Sequence, residues 1–231
     1  GFGNNGLGYQ FSQRVGGAAG PLLTGYRLGA TGGNSPRQAS DFSISNNRLT
    51  VAPRQGNGRF EFTADGTSGF NFGEYLAGKV YSLSWKMNIS TVGPNYAQRM
   101  TLSVSDTTNG SVGDVDIGVQ IGTDGKGGLG VFKRVDGPSN SSGTDINVSI
   151  AEGLPIDVPV SLLLRITDYN ANTSLYNSHY EIQVNGVTVD SGWFRFNQST
   201  SSRYLIFDVA AHQGTVYYDD LQLTVTGTTG G

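Results

Sequence analysis

Tyr81-Ser82-Leu83-Ser84-Trp85-Lys86-Met87-Asn88-Ile89 alternates apolar and polar side chains without a break. A β-strand turns successive side chains to opposite faces, so this stretch predicts a half-buried strand. Tyr81, Leu83, Trp85, Met87 and Ile89 form its inward face, and Ser82, Ser84, Lys86 and Asn88 its solvent face. Trp85 is therefore assigned to the core. The same alternation returns in Val158, Val160, Leu162, Leu164 and Ile166, then in Tyr180, Ile182 and Val184, and again in Leu221, Leu223 and Val225. Shorter strands are predicted over 48–52, 59–63, 99–104, 115–121, 129–135 and 204–211.

Turn signals separate these runs: Asp65-Gly66, Asn109-Gly110, Asp124-Gly125, Asp136-Gly137-Pro138 and Asn185-Gly186. Asn185-Gly186 is the strongest, because a two-residue type I′ hairpin needs positive φ at both central positions and Asn and Gly tolerate it best. One hairpin is expected over 180–190. The single helical candidate is the short stretch 72–79. Many short strands at this spacing predict an all-β antiparallel sandwich, a jelly roll with little or no helix. One domain is expected over 41–226, with a Gly-rich segment 1–40 belonging to it or docked on it, and a Gly/Thr tail 227–231.

Composition narrows the function. Charged residues make up 14% of the 231-residue chain and the net charge is −3, well below the roughly 25% charged content of ordinary domains. Polarity comes from Asn, Ser, Thr and Gly, which leaves no electrostatic footprint for nucleic acid. There is no cysteine, so neither a disulfide framework nor a thiolate metal site exists. No apolar run is long enough to span a bilayer. The composition suits an extracellular or cell-surface protein, whose export signal would already have been removed. Asn-x-Ser/Thr triplets at Asn88, Asn109, Asn140, Asn147, Asn172 and Asn197 are what chance gives in a chain of this composition.

The closing segment Gly214-Thr215-Val216-Tyr217-Tyr218-Asp219-Asp220-Leu221-Gln222-Leu223-Thr224-Val225, with the hairpin after Tyr180-Glu181-Ile182-Gln183-Val184, resembles the concanavalin A-like lectin and glucanase superfamily, including laminin-G-like domains. The resemblance covers roughly residues 40–226 as a pattern of strands. It implies a jelly roll, and its enzymes offer signatures to compare. The Glu-x-Asp-x-x-Glu run of the β-glucanase-like hydrolases is absent. Jelly-roll alginate lyases show Arg-x-Glu, Gln-x-His and Tyr-x-Lys strands. Arg59-Phe60-Glu61 matches the first, whereas Gln120-Ile121-Gly122 lacks the His and Tyr204-Leu205-Ile206 lacks the Lys.

Other chemistry rests on few residues. His179 and His212 are the acid-base candidates by type, although isolated histidines at strand ends are usually surface residues, and no catalytic residue is assigned. Asp219 shares parity with Leu221, Leu223 and Val225, so unless a bulge intervenes its carboxylate points at the core. A buried carboxylate needs a partner. A structural calcium ion, as jelly-roll carbohydrate-binding modules often hold near this strand, is one; an arginine or loop N–H groups are the alternative. Sugar binding calls for flat aromatic faces and amides. Trp193 is the leading platform, with Tyr96, Tyr169 and Tyr176, and with Asn170, Asn172 and Asn177 as amide donors. Packing of Trp193 under a hairpin is the plain alternative.

The expected function is an extracellular carbohydrate-binding jelly-roll module whose partner is a polysaccharide or glycan. The second reading is a self-assembling structural subunit, a homo-oligomer joined by adding residues 1–9 as a strand to a neighbour's sheet edge. A polysaccharide lyase or hydrolase comes third.

Overall fold

A computed structural model of the chain describes residues 25–29, 42–45, 48–52, 58–63, 79–91, 100–105, 116–137, 145–167, 175–196, 204–209 and 214–227. Of the expected short helix over 72–79, residues 72–78 lie outside the described residues, as does the N-terminal strand 1–9, and Lys79 opens a strand instead. In chain order the strands are β1 (Gly25–Gly29), β2 (Phe42–Ser45), β3 (Arg48–Val51), β4 (Gly58–Thr63), β5 (Lys79–Ile89), β6 (Met100–Ser105) and β7 (Ile117–Thr123). They continue as β8 (Leu129–Val135), β9 (Asp145–Leu154), β10 (Val160–Thr167), β11 (Ser178–Val184), β12 (Val187–Phe194), β13 (Tyr204–Val209) and β14 (Val216–Gly227).

These strands form two antiparallel seven-stranded sheets. The first runs β1-β4-β13-β6-β7-β8-β9 and the second β12-β11-β10-β5-β14-β3-β2. Strand β5, with its unbroken alternation, is the middle strand of the second sheet, paired with β10 and β14. Its inward phase is buried from Tyr81 to Ile89, and Trp85 is among the largest fully buried side chains. Facing it are Ile117, Val119 and Ile121 of β7 with Val131 and Val135 of β8. Each fully buried aliphatic side chain contributes roughly 1.5–3 kcal/mol, so this two-sided layer holds the sandwich together. The Asn88 side chain is also closed to solvent, at 5% exposure, which removes it as a glycosylation acceptor in the folded chain.

The Asn185-Gly186 turn has φ 50° and 81°, as a type I′ hairpin requires. Asn185 is tied to β10 as well: its N–H donates to the Ser161 carbonyl and its side-chain oxygen accepts from the Ser161 N–H. The hairpin is longer than expected, reaching Phe194. Strand β10 starts later, at Val160, because Pro159 has no N–H to give the ladder, and Val158 is left 47% exposed. Strands β1, β2 and β9 are additional to the alternation-based expectation. Irregular pairing of β9 with β8 and the left-handed Gly153 explain why 145–154 carries no clean period.

Two charges stand on the inward phase and answer each other. Lys133 shares its face with Val131 and Val135, and Asp190 pairs opposite Ile182. The Lys133 ammonium lies 2.8 Å from Asp190 Oδ2 and 3.1 Å from Tyr180 Oη, while the Tyr180 hydroxyl donates to Asp190 at 2.7 Å. This clasp joins β8 of one sheet to β11 and β12 of the other at the sandwich edge.

Candidate functional site

The outer face of the first sheet gathers its polar residues by register. Because Ile117, Val119 and Ile121 belong to the core, Gly118, Gln120 and Gly122 stand on the opposite, outer face. Pairing carries that face across the sheet. One row reads Gly29, Arg59, Asp208, Thr101, Gln120, Phe132. The neighbouring row reads Arg27, Glu61, Ile206, Ser103, Gly118, Arg134. Two adjacent rows therefore bring three arginines and two carboxylates from strands far apart in sequence to one face.

Where side chains are described, much of this face is closed to solvent. Gln120 and Arg134 are both 3% exposed despite standing outside the core, and every residue of β7 is buried. Phe132, opposite Gln120 in the ladder, is partly exposed. Its ring lies over Gly130: Cε2 and Cζ would be 3.0 Å from a Cβ on that glycine. Lacking a side chain, Gly130 leaves the room that the ring occupies. An aromatic face next to an amide can stack on the C–H groups of a pyranose and bond its hydroxyls.

The sequence-predicted residues are scattered over the molecule. Tyr96, Tyr169, Asn170, Asn172 and His212 lie outside the described residues. Trp193 is 46% exposed on the outer phase of β12, paired with His179. Their rings meet edge-to-face at 5.0 Å, and His179 Nδ1 lies 3.4 Å from Thr167 Oγ1. Trp193 thus belongs to the second sheet, not to the row of Gln120. Its backbone does reach the first sheet, since a Cβ on Gly137 would stand 3.5 Å from the Trp193 carbonyl oxygen. Tyr176 has one ring face occupied by the Arg195 guanidinium at 4.6 Å. Arg195 Nε donates to Asp136 Oδ2 at 3.1 Å, and that bond raises the guanidinium's already high pKa. Asn177 precedes β11 with its side-chain oxygen buried.

Asp219 corrects the parity argument. A bulge between Asp219 and Gln222 adds one residue to β14, and Asp220 carries it with φ 50°. Val216 and Tyr218 are buried, so Tyr217 and Asp219 face outward, and after the bulge Leu223 and Val225 pair with Leu83 and Tyr81 in the ladder. The Asp219 carboxylate accepts the Asp220 N–H at 2.8 Å. It is not aimed at the core, and the reason for placing a calcium ion there falls away. Among the described residues no three His, Asp or Glu side chains come together as a metal cluster.

Phe132 is the residue that sequence patterning missed. A signal was present: it is an aromatic on the polar phase of 129–135, two residues after a glycine. By contrast Arg59, Glu61, Gln120 and Tyr204, singled out from three separate strands, do share one face, and so do Gly122 and Ile206.

No protein-family model matches the chain, and no curated relative matches it. Solved structures do. An alginate lyase from Pseudomonas aeruginosa superposes with a TM-score of 0.54 at 14% identity, over 80% of this chain and 86% of the lyase. The Emp47p carbohydrate recognition domain gives 0.51 at 11% identity, over 86% and 87%. An endo-1,3-beta-glucanase from Streptomyces sioyaensis gives 0.53 at 16%, over 82% and 80%. The chain has the concanavalin A-like jelly-roll fold.

Proposed function

We propose that the chain is an extracellular carbohydrate-binding module whose glycan lies along the outer face of the first sheet. The observation that carries this reading is the register that sets Arg59, Asp208, Thr101, Gln120 and Phe132 in one row. Such a row alternates groups that donate and accept hydrogen bonds and ends on an aromatic seat, which is what a polyhydroxylated chain requires. The occurrence of this fold in a carbohydrate recognition domain supports it. Binding is favoured over cleavage because the positions two residues beyond Gln120 and Tyr204 are Gly122 and Ile206, neither of which can move a proton. The low charge and high Asn, Ser and Thr content support an extracellular setting. Trp193, exposed at the seam where β12 meets the first sheet, serves as a further contact for long chains.

Affinity electrophoresis of the whole chain through gels containing neutral or uronate polysaccharides tests the reading. Retardation by at least one polysaccharide is expected. Unretarded migration through all of them contradicts it, and release of unsaturated or reducing ends would replace binding with catalysis.

A further inference from the structure

The outer face of the second sheet carries a cavity of its own, of about 270 Å³, lined by Arg48, Lys86, Asn88, Ser161, Tyr217 and Asp219. Register explains how they meet. Ser161 pairs with Lys86 and Lys86 with Asp219, while in the next row Asn88 pairs with Tyr217 and Tyr217 with Thr50. The lining therefore stands mainly on β5, β10 and β14, adjacent strands in the interior of the sheet, where positions are held better than on loops.

Its chemistry is balanced. Lys86 Nζ lies 2.7 Å from Asp220 Oδ2, and Asp219 stands opposite Lys86 in the ladder. Arg48 lies with its guanidinium carbon 4.4 Å from the centre of the Tyr217 ring, an arrangement that fixes the guanidinium plane while leaving its N–H edge to a ligand. Among the described residues Arg48 has no carboxylate partner. Arg48 and Lys86 supply donors, Asp219 an acceptor and Asn88 both, and the carboxylates of Asp157, Asp219 and Asp220 stand beside the two cations. Asn88, 5% exposed, is held at the floor by its bond to the Asp157 carboxylate. Asp157 and Asp220, which bond the lining residues Asn88 and Lys86, are two of the three non-glycine residues with positive φ among the described residues. Such strain collects where structure serves function.

We propose that this cavity is a second glycan site that takes one neutral pyranose ring. Its size, just under the roughly 300–1,000 Å³ of drug-sized ligand pockets, suits a single ring, and its mixed charges, with three carboxylates beside two cations, and dense hydrogen-bonding groups suit a polyol rather than an anion. The ligand class rests on the glycan-binding reading above. A chain with sites on both outer faces would hold two polysaccharide strands at once, converting two weak contacts into retention by avidity.

Amide shift mapping of the whole chain, titrated separately with β-1,3-glucan, mannose and alginate tetrasaccharides, tests it. With at least one of the two neutral sugars, shifts are expected in 48–50, 86–88 and 217–219, as a group apart from 118–134. Ser161→Trp, which fills the cavity from an exposed strand position, is expected to abolish that group. Asp219→Asn, with no added bulk, is expected to weaken it at least fivefold, and Phe132→Ala to leave it unchanged. Shifts confined to 118–134 overturn the second site and leave the first. Shifts confined to the cavity overturn the first and leave the second. No shift with any of the three sugars overturns both, and an alginate response equal to the neutral one overturns the assignment to neutral rings.

Discussion

The ring of Phe132 lies over Gly130, its Cε2 and Cζ atoms 3.0 Å from where a Cβ on that glycine would stand. Gly130→Ala should therefore push the ring a few tenths of an ångström out of place, and Gly130→Val further. Stability should change by no more than about 1 kcal/mol in the alanine variant, because a strand glycine also carries an entropic cost of that order. Glycan affinity is expected to fall several-fold in Gly130→Ala and more in Gly130→Val, measured by gel retardation beside thermal melts. Full affinity in the valine variant would detach the ring from binding.

The bulge at Asp220 makes an unusual prediction about a deletion. Val216 and Tyr218 point inward before it, and after it Leu223 and Val225 pair with Leu83 and Tyr81, so the ladder carries one extra residue, at Asp220. Removing it leaves a regular strand with every phase kept. The deletion relieves a left-handed non-glycine residue, about 1–2 kcal/mol, and loses an exposed ion pair to Lys86 that solvent screens. The deleted chain is expected to fold with a midpoint of chemical unfolding close to that of the parent. Loss of folding would show that Asp220 is part of the ladder.

Asp124 sets an acid dependence. Its carboxylate accepts the Lys126 N–H at 2.7 Å, the Gly128 N–H at 2.9 Å and the Gly153 N–H at 3.2 Å, joining the β7–β8 turn to β9. The Lys126 N–H above all holds the carboxyl below its ordinary range. A depressed folded pKa contributes stability that is complete above the unfolded value, about 3.9, and is lost as pH falls through the lower folded value. Asp124→Asn should destabilise the chain at pH 7 by about 0.5–1 kcal/mol, because the carboxylate lies near solvent and screening weakens its hydrogen bonds. That gap should narrow as urea melts are repeated toward pH 2. A gap independent of pH would assign the effect to shape and not to charge.

Trp193 separates long from short ligands. Exposed on the second sheet and packed edge-on against His179, it is not in the row of Gln120. Trp193→Ala is expected to reduce retention by an extended polysaccharide at least threefold while a tetrasaccharide binds the first sheet as before. Equal loss for both ligands would move the site to Trp193.

How far the sequence was legible follows from phase. Strand β5 could be read because its period never breaks, and the Asn185-Gly186 turn because its residue types suit the φ values it adopts. Asp219 misled because a single inserted residue reverses parity, and Asp220, a non-glycine in the left-handed region, gives no local warning of a bulge. Lys133 and Asp190 were illegible one at a time: each looks like a charge on a core phase, and only the sheet pairing shows that they satisfy each other. Arg59, Glu61 and Gln120 could be picked out on separate strands, but their common face depends on long-range register.

The most direct measurement is a binding titration of the whole chain and of Phe132→Ala with the oligosaccharide that retards the protein best, alongside thermal melts of both. At least a tenfold loss of affinity, about 1.4 kcal/mol, is expected with little change in melting temperature, since Phe132 lies on the outer face and is absent from the core cluster. Equal affinity in the two folded proteins would contradict the claim that the outer face of the first sheet binds the glycan.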